Sequence, residues 1–224
     1  METVKPKRTL VEETYDILID AICSGELPPG ERLNQDEIAE KLNVSRQPVN
    51  SAISILKANG LVEDTGRRSV VVCSFDPGLF RSIYEYRKVI EPFAVQLAGR
   101  SLVKADRRQA DKVLRAGQKA FESGKLRDLL QADMQFHEMI YAWSCNHVIQ
   151  TSMKNNWHHI RRSMAEVLRG PDAILQVWNE HSEIVACLFE NDTKKAAQVM
   201  ELHINGAYEG IVCAIADPIK NGLI

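Results

Sequence analysis

From Pro77 to Ala216 the apolar residues recur at helical spacing with no convincing alternating stretch. The pattern predicts helices near 77–99, 104–122, 126–143, 146–168, 171–190 and 192–215. Ser123-Gly124, Asn146 and Gly170-Pro171 punctuate them, so this half is expected to be an all-α six-helix bundle. Ahead of it the elements are shorter. Asn34-Gln35-Asp36-Glu37 opens a helix whose apolar residues are Ile38, Ala39 and Leu42. Asn43-Val44-Ser45 forms a tight turn, with Ser45 placed to cap the next helix. In that helix Val49, Ala52, Ile53 and Leu56 form one buried stripe, and Gly60-Leu61-Val62-Glu63 leads into a strand. Val70-Val71-Val72, a β-branched run, suits the second strand of a wing. Asp76 is placed to cap the following helix with Pro77 in its first turn, which sets the boundary between two domains. The chain thus reads as mainly α, with a winged helix-turn-helix over 9–73 and an all-α bundle over 77–216.

The polar side of the second short helix carries the first chemistry. With its apolar stripe turned inward, Arg46, Gln47 and Asn50 project from the other face near the N-terminus, where a recognition helix meets a major groove. At these residues the chain resembles the winged helix of the GntR family of bacterial transcription factors. The resemblance rests on Ile22…Ser24-Gly25-Glu26-Leu27…Pro29-Gly30-Glu31-Arg32-Leu33, on Val44-Ser45-Arg46-Gln47-Pro48-Val49, and on Gly60-Leu61-Val62-Glu63. It implies a DNA-binding function; the competing reading is a winged helix used only for protein contacts. Three positions depart from the family pattern. Asn50 and Asp36 stand where arginines are usual, and Ser69 follows Gly66-Arg67-Arg68 where glycine is common. Arginine favours guanine edges and asparagine adenine, so the operator is expected to differ from the family's usual one.

Charge refines this. The net charge is −2 and the pI about 6.3, which excludes a generic polyanion binder. Acids dominate the first 75 residues, but none lies between Ser45 and Asn59, and Arg46, Lys57, Arg67 and Arg68 are expected on the groove-facing side. The expected DNA-contacting set is therefore Ser45, Arg46, Gln47, Asn50, Lys57, Arg67 and Arg68. The arm Lys5-Pro6-Lys7-Arg8 reads either as a phosphate contact or as a solvated terminus. One such unit reads only a half-site, so a homodimer on a palindromic double-stranded operator is expected. With 45% hydrophobic residues the chain can fill two modest cores. No apolar run approaches the ~18 residues of a membrane span, nor does the N-terminus carry a signal-peptide core. The five scattered cysteines suit a reducing cytoplasm.

The second chemistry comes from polar residues on apolar stripes. Asp133 and His137 share the inward face of the 126–143 helix with Leu126, Leu130, Ile140 and Tyr141. His181 lies among Ile174, Trp178, Ile184, Val185 and Leu188, and His203 among Ala196, Val199, Met200, Ala207 and Ile211. Burying these four polar groups is costly unless they share a partner, either as a hydrogen-bonded core network or around a divalent metal. Asp-x-x-x-His, Glu180-His181-x-x-Ile184 and Met200-x-x-His203-Ile204 resemble the metal-binding version of the FCD domain, the all-α effector domain of the FadR subgroup of GntR proteins. The resemblance, closer to the VanR-like branch because of the six helices, implies that Asp133, His137, His181 and His203 hold zinc, nickel or manganese.

Further residues are candidates for a ligand pocket. Arg87 faces inward with Phe80, Ile83, Tyr84, Ile90, Ala94 and Leu97, ready either to grip a carboxylate or to pair with Glu91 or Asp133. Asn155 and His159 are expected to complete the pocket, while Arg162 reads as solvated or interfacial. The function expected is a DNA-binding repressor whose operator affinity responds to a small organic acid held at the metal and Arg87. A metal-dependent hydrolase fused to a winged helix, and a direct metal sensor, are the rivals.

Overall fold

The computed structural model describes residues 9–66, 69–168 and 170–216. The chain falls into two compact units, Met1–Asp76 and Pro77–Ile224.

In the first unit, α1 (Leu10–Ser24) starts with a capping box: Thr9 Oγ1 accepts from the Glu12 N–H, and the Glu12 carboxylate accepts from the Thr9 N–H at 2.8 Å. It ends on Gly25, whose φ of 81° suits a residue without a Cβ. Next come β1 (Arg32–Leu33), α2 (Gln35–Lys41), α3 (Arg46–Ala58), β2 (Val62–Asp64) and β3 (Val70–Val72). Asn34 caps α2 by accepting from the Asp36 N–H at 3.0 Å. Ser45 occupies the N-cap position of α3, but its side chain makes no capping bond, so the expected cap is geometric only. The strands form an antiparallel sheet in the order β1-β3-β2, with Arg32 opposite Val71. Two-residue β1 is too short to alternate, which is why periodicity does not reveal it. Val49, Ala52 and Leu56 of α3 and Leu61 are wholly buried against Leu18, Ile22, Leu33, Val70 and Val72. This core fixes which side of α3 stays outside.

The second unit comprises α4 (Pro77–Ser101), α5 (Lys104–Ser123), α6 (Leu126–Trp143), α7 (His147–Val167), α8 (Pro171–Phe189) and α9 (Thr193–Ala216). Gly124, at φ 64°, closes α5, and Asn146 caps α7 by accepting from Val148 and Ile149. Helix α4 packs on α6, α7, α8 and α9, so anything on its inner face meets the centre of the bundle. Its interior Pro92 has no N–H to offer the Lys88 carbonyl. Helices α5 and α8 approach so closely that a Cβ on Gly117 would lie 2.4 Å from the Trp178 ring. Tyr84, Phe136, Ile140, Met153, Ile160, Ile184, Met200 and Ile204 fill the core. Among the described residues, no helix is long and apolar enough to cross a membrane.

Candidate metal centre and DNA-reading surface

At the start of α3, the N-cap Ser45 and the helical Arg46, Gln47 and Asn50 are all exposed, as a groove-facing edge requires. Arg46 is held by a neighbour: its Nε lies 2.8 Å from Asp36 Oδ1 on α2. The acid that stands where the family pattern has a base therefore meets the base expected to read DNA. Lys57 lies near the other end of α3, about 16 Å along the axis. Its Nζ pairs with Asp64 of β2 at 2.6 Å, so it braces the wing rather than joining Arg46. Arg67, Arg68 and the arm Lys5–Arg8 lie outside the described residues.

In the bundle, Asp133 and His137 from α6, His181 from α8 and His203 from α9 converge, each at most 2% exposed. One ligand atom from each lies within 4.8 Å of all the others. The convergence follows from sequence: each residue occupies a core position on an amphipathic helix, and the three helices pack on a common centre. Asp133 Oδ1 stands 3.7 Å from His181 Nε2 and 4.0 Å from His137 Nε2, beyond hydrogen-bond range. Asp133 Oδ1, the Nε2 atoms of His137 and His203, and both nitrogens of His181 are buried without a hydrogen-bond partner. Unpaired polar atoms are costly in a core. Three imidazoles and one carboxylate turned toward one point are a donor set that fits a divalent ion.

Two carboxylates back this set. Glu91 Oε2 lies 2.7 Å from His137 Nδ1, and Glu180 Oε2 lies 2.8 Å from His203 Nδ1. A carboxylate at Nδ1 places the ring proton there and leaves Nε2 free to ligate. Burial, followed by the nearby His203, His137 and Arg87, pushes His181 well below the ordinary imidazole range, which keeps it neutral as a ligand must be. Phe136 stacks on His181 at 3.7 Å, and Trp157 and Trp178 lie 5.7 and 4.8 Å from His137 and His181.

Arg87 is 1% exposed, and its Nε donates to Glu91 Oε1 at 2.5 Å. The internal salt bridge therefore exists, but it does not exhaust the guanidinium: Nη1 is buried without a partner. Burial alone would raise Glu91, yet Arg87 and then His137 hold it below the usual carboxylate range. Burial also lifts the Tyr141 hydroxyl well above its ordinary range, reinforced by the charge on Glu91.

Asn155 does not join this site. It is exposed, because α7 buries Met153, Trp157, Ile160 and Met164 instead, a stripe that excludes it. His159 is half-buried with its ring 4.3 Å from His158, and neither is among the four converging ligands. The sequence reading missed the backing roles of both carboxylates. Glu91 had a signal, lying one turn beyond Arg87 on the same face. Glu180 stood in the motif with His181, but it falls off the apolar stripe, so periodicity gave no sign that it serves His203.

Residues 10–72 match the family described as bacterial regulatory proteins, gntR family, and residues 82–206 match the FCD domain. The HTH-type transcriptional repressor RspR of Escherichia coli K12 is 24% identical over 211 residues, covering 93% of this chain and 91% of its own. The HTH-type transcriptional regulator YdhC of Bacillus subtilis is 25% identical over 193 residues, covering 85% and 84%. Among solved structures, E. coli McbR/YncC shares the fold at a TM-score of 0.76 and 20% identity, covering 91% of this chain and 99% of its own. A GntR regulator from Rhodococcus sp. RHA1 gives the same TM-score at 24% identity, covering 91% and 98%. The exposed face of α3 and the buried Asp/His cluster thus sit in a DNA-binding transcriptional regulator, not an enzyme, and the chain belongs to the GntR family with an FCD domain as its second half.

Proposed function

We propose that the chain is a cytoplasmic repressor that binds a palindromic operator as a homodimer and responds to a small organic acid held in its bundle. In this reading residues 9–73 read DNA and residues 77–216 bind the effector and dimerise. The observation that carries it is the buried cluster of unpartnered donors from Asp133, His137, His181 and His203, beside an arginine with an unpartnered Nη1. A divalent ion, zinc or alternatively nickel or manganese, fits those four residues and would offer a Lewis-acidic site to one carboxylate oxygen. Arg87 would take the acid's remaining charge through Nη1, held in place by Glu91. Glu91 and Glu180 fix the ring protons of His137 and His203, while Phe136 and the two tryptophans exclude water. Leu79, Tyr86, Val89 and Phe93 expose an apolar stripe along α4, which supports pairing with a second copy. An effector regulates only if it binds one arrangement of the dimer more tightly than another.

The test is elemental analysis of untagged protein joined to thermal melting and operator binding. We expect about one divalent ion per chain, a melting point lowered by chelation and restored by zinc, nickel or manganese, and loss of that response in His181→Ala and His203→Ala. A screen of small organic acids should then find one that weakens operator binding by the loaded protein. Metal-free protein that gains no stability from any of the three ions would rule out the metal. Operator binding that follows metal alone, with no acid effective, would make the ion itself the signal.

A further inference from the structure

We propose that Glu91 couples the metal site to the anion site, so that the two affinities are set by one shared carboxylate. This rests on the metal and carboxylate reading above and adds a positioning residue to it. Glu91 is wholly buried, and each of its oxygens is committed. Oε1 accepts from Arg87 Nε at 2.5 Å, and Oε2 faces His137 Nδ1 at 2.7 Å.

Each contact solves a different orientation problem. His137 can ligate through Nε2 only while its proton sits on Nδ1, where Oε2 holds it. Arg87 can present Nη1 to an anion only while the other side of its planar fork is anchored, and Oε1 anchors it at Nε. An anion on Nη1 draws the guanidinium charge away from Glu91. The carboxylate then pulls harder on the Nδ1 proton and makes Nε2 a stronger donor. Anion and metal therefore strengthen each other, and by thermodynamic reciprocity each raises the other's affinity by the same factor.

Glu180 is the natural control. It serves His203 at 2.8 Å as Glu91 serves His137, but its other partner is the neutral Gln176, 2.9 Å away. It backs a ligand without touching the arginine.

The test measures zinc affinity of the full chain at neutral pH by competition with a chromophoric chelator. It is run in sodium acetate and in sodium chloride at equal ionic strength. The wild type should bind zinc more tightly in acetate. Glu180→Gln should weaken zinc about 10- to 100-fold in both salts, keeping the wild-type acetate-to-chloride ratio. Glu91→Gln should weaken zinc comparably and lower that ratio below the wild-type value, leaving only direct contact of acetate with the ion, because a single amide oxygen cannot serve both partners. A wild-type ratio of one, or a Glu91→Gln variant with wild-type zinc affinity or wild-type ratio, would overturn the coupling. Wild-type protein that takes up no zinc would instead remove the functional reading beneath it. Should Glu91→Gln fail to fold, the imidazole ¹⁵N spectrum of metal-free wild type decides. A His137 proton on Nδ1 is expected, and one on Nε2 would overturn the proposal.

Discussion

The same chemical pair, a guanidinium against a carboxylate, occurs at both candidate sites and means opposite things in each. At the reading edge, Arg46 and Asp36 are 64% and 66% exposed. In the bundle, Arg87 and Glu91 are 1% and 0% exposed. Water competes for the first pair, so it is worth about 0–1 kcal/mol and is readily traded for a base edge or phosphate. The second pair has lost its water, which costs several kcal/mol per ion, and stands because each charge is compensated by the other, although Arg87 Nη1 is left over. The exposed face of α3 is thus an exchangeable surface, as the proposed reading role requires. In the bundle, Arg87, Glu91 and His137 form a committed chain in which each polar group depends on the next.

Glu91→Ala should break that contrast most severely. It leaves Arg87 buried and uncompensated, and we expect a loss of about 3–5 kcal/mol in denaturant unfolding of the bundle. A cost below about 1 kcal/mol would mean that the core pair behaves like a surface pair. Arg46→Ala should leave stability within about 0.5 kcal/mol yet weaken operator binding by roughly 1–3 kcal/mol in titrations at fixed salt. Undiminished operator affinity would place the reading edge elsewhere.

Gly117→Ala tests commitment by volume rather than charge. The new methyl would meet the Trp178 ring, and about 1–3 kcal/mol should be lost. Gly206→Ala in α9, with nothing within 4 Å, should instead gain about 0.5–1 kcal/mol. Comparable melting shifts in the two variants would show that α5 and α8 can separate freely. The smallest effect is expected from Asp36→Ala. Stability should move by no more than about 1 kcal/mol, while affinity for unrelated DNA rises and the preference for the operator narrows. If competition assays show the preference unchanged, Asp36 does not restrain Arg46.

What was legible in the sequence follows the same division. Asp133, His137, His181 and His203 announced themselves because a polar residue at a core position interrupts an apolar stripe. The helices around them were legible because Gly124 and Asn146 punctuate the chain. Helix α7 was harder to place. Asn155 lies about 200° around the helix from Trp157, but polar residues occupy several faces there, and periodicity did not separate the pocket side from the solvent side. Short β1 left no period, and Glu180 reaches His203 only once α8 and α9 pack together. Ser45 has the right residue type for a cap but lacks the bond. Propensity specifies the position of a side chain, whereas the direction of its oxygen is settled by its neighbours.

The tryptophans beside the ligand cluster give the protein an optical property. The chain has three tryptophans, and two of them, Trp157 and Trp178, have their rings within 5.7 Å of the His137 and His181 rings. An excited indole that close to a metal ligand loses emission to a paramagnetic ion and much less to a closed-shell one. Nickel or manganese bound at the four residues should darken the intrinsic fluorescence, whereas zinc should leave it bright while displacing the quencher. If the proposed ion binds there, the bundle would carry its own dye, telling a paramagnetic ion from a closed-shell one without any label being attached.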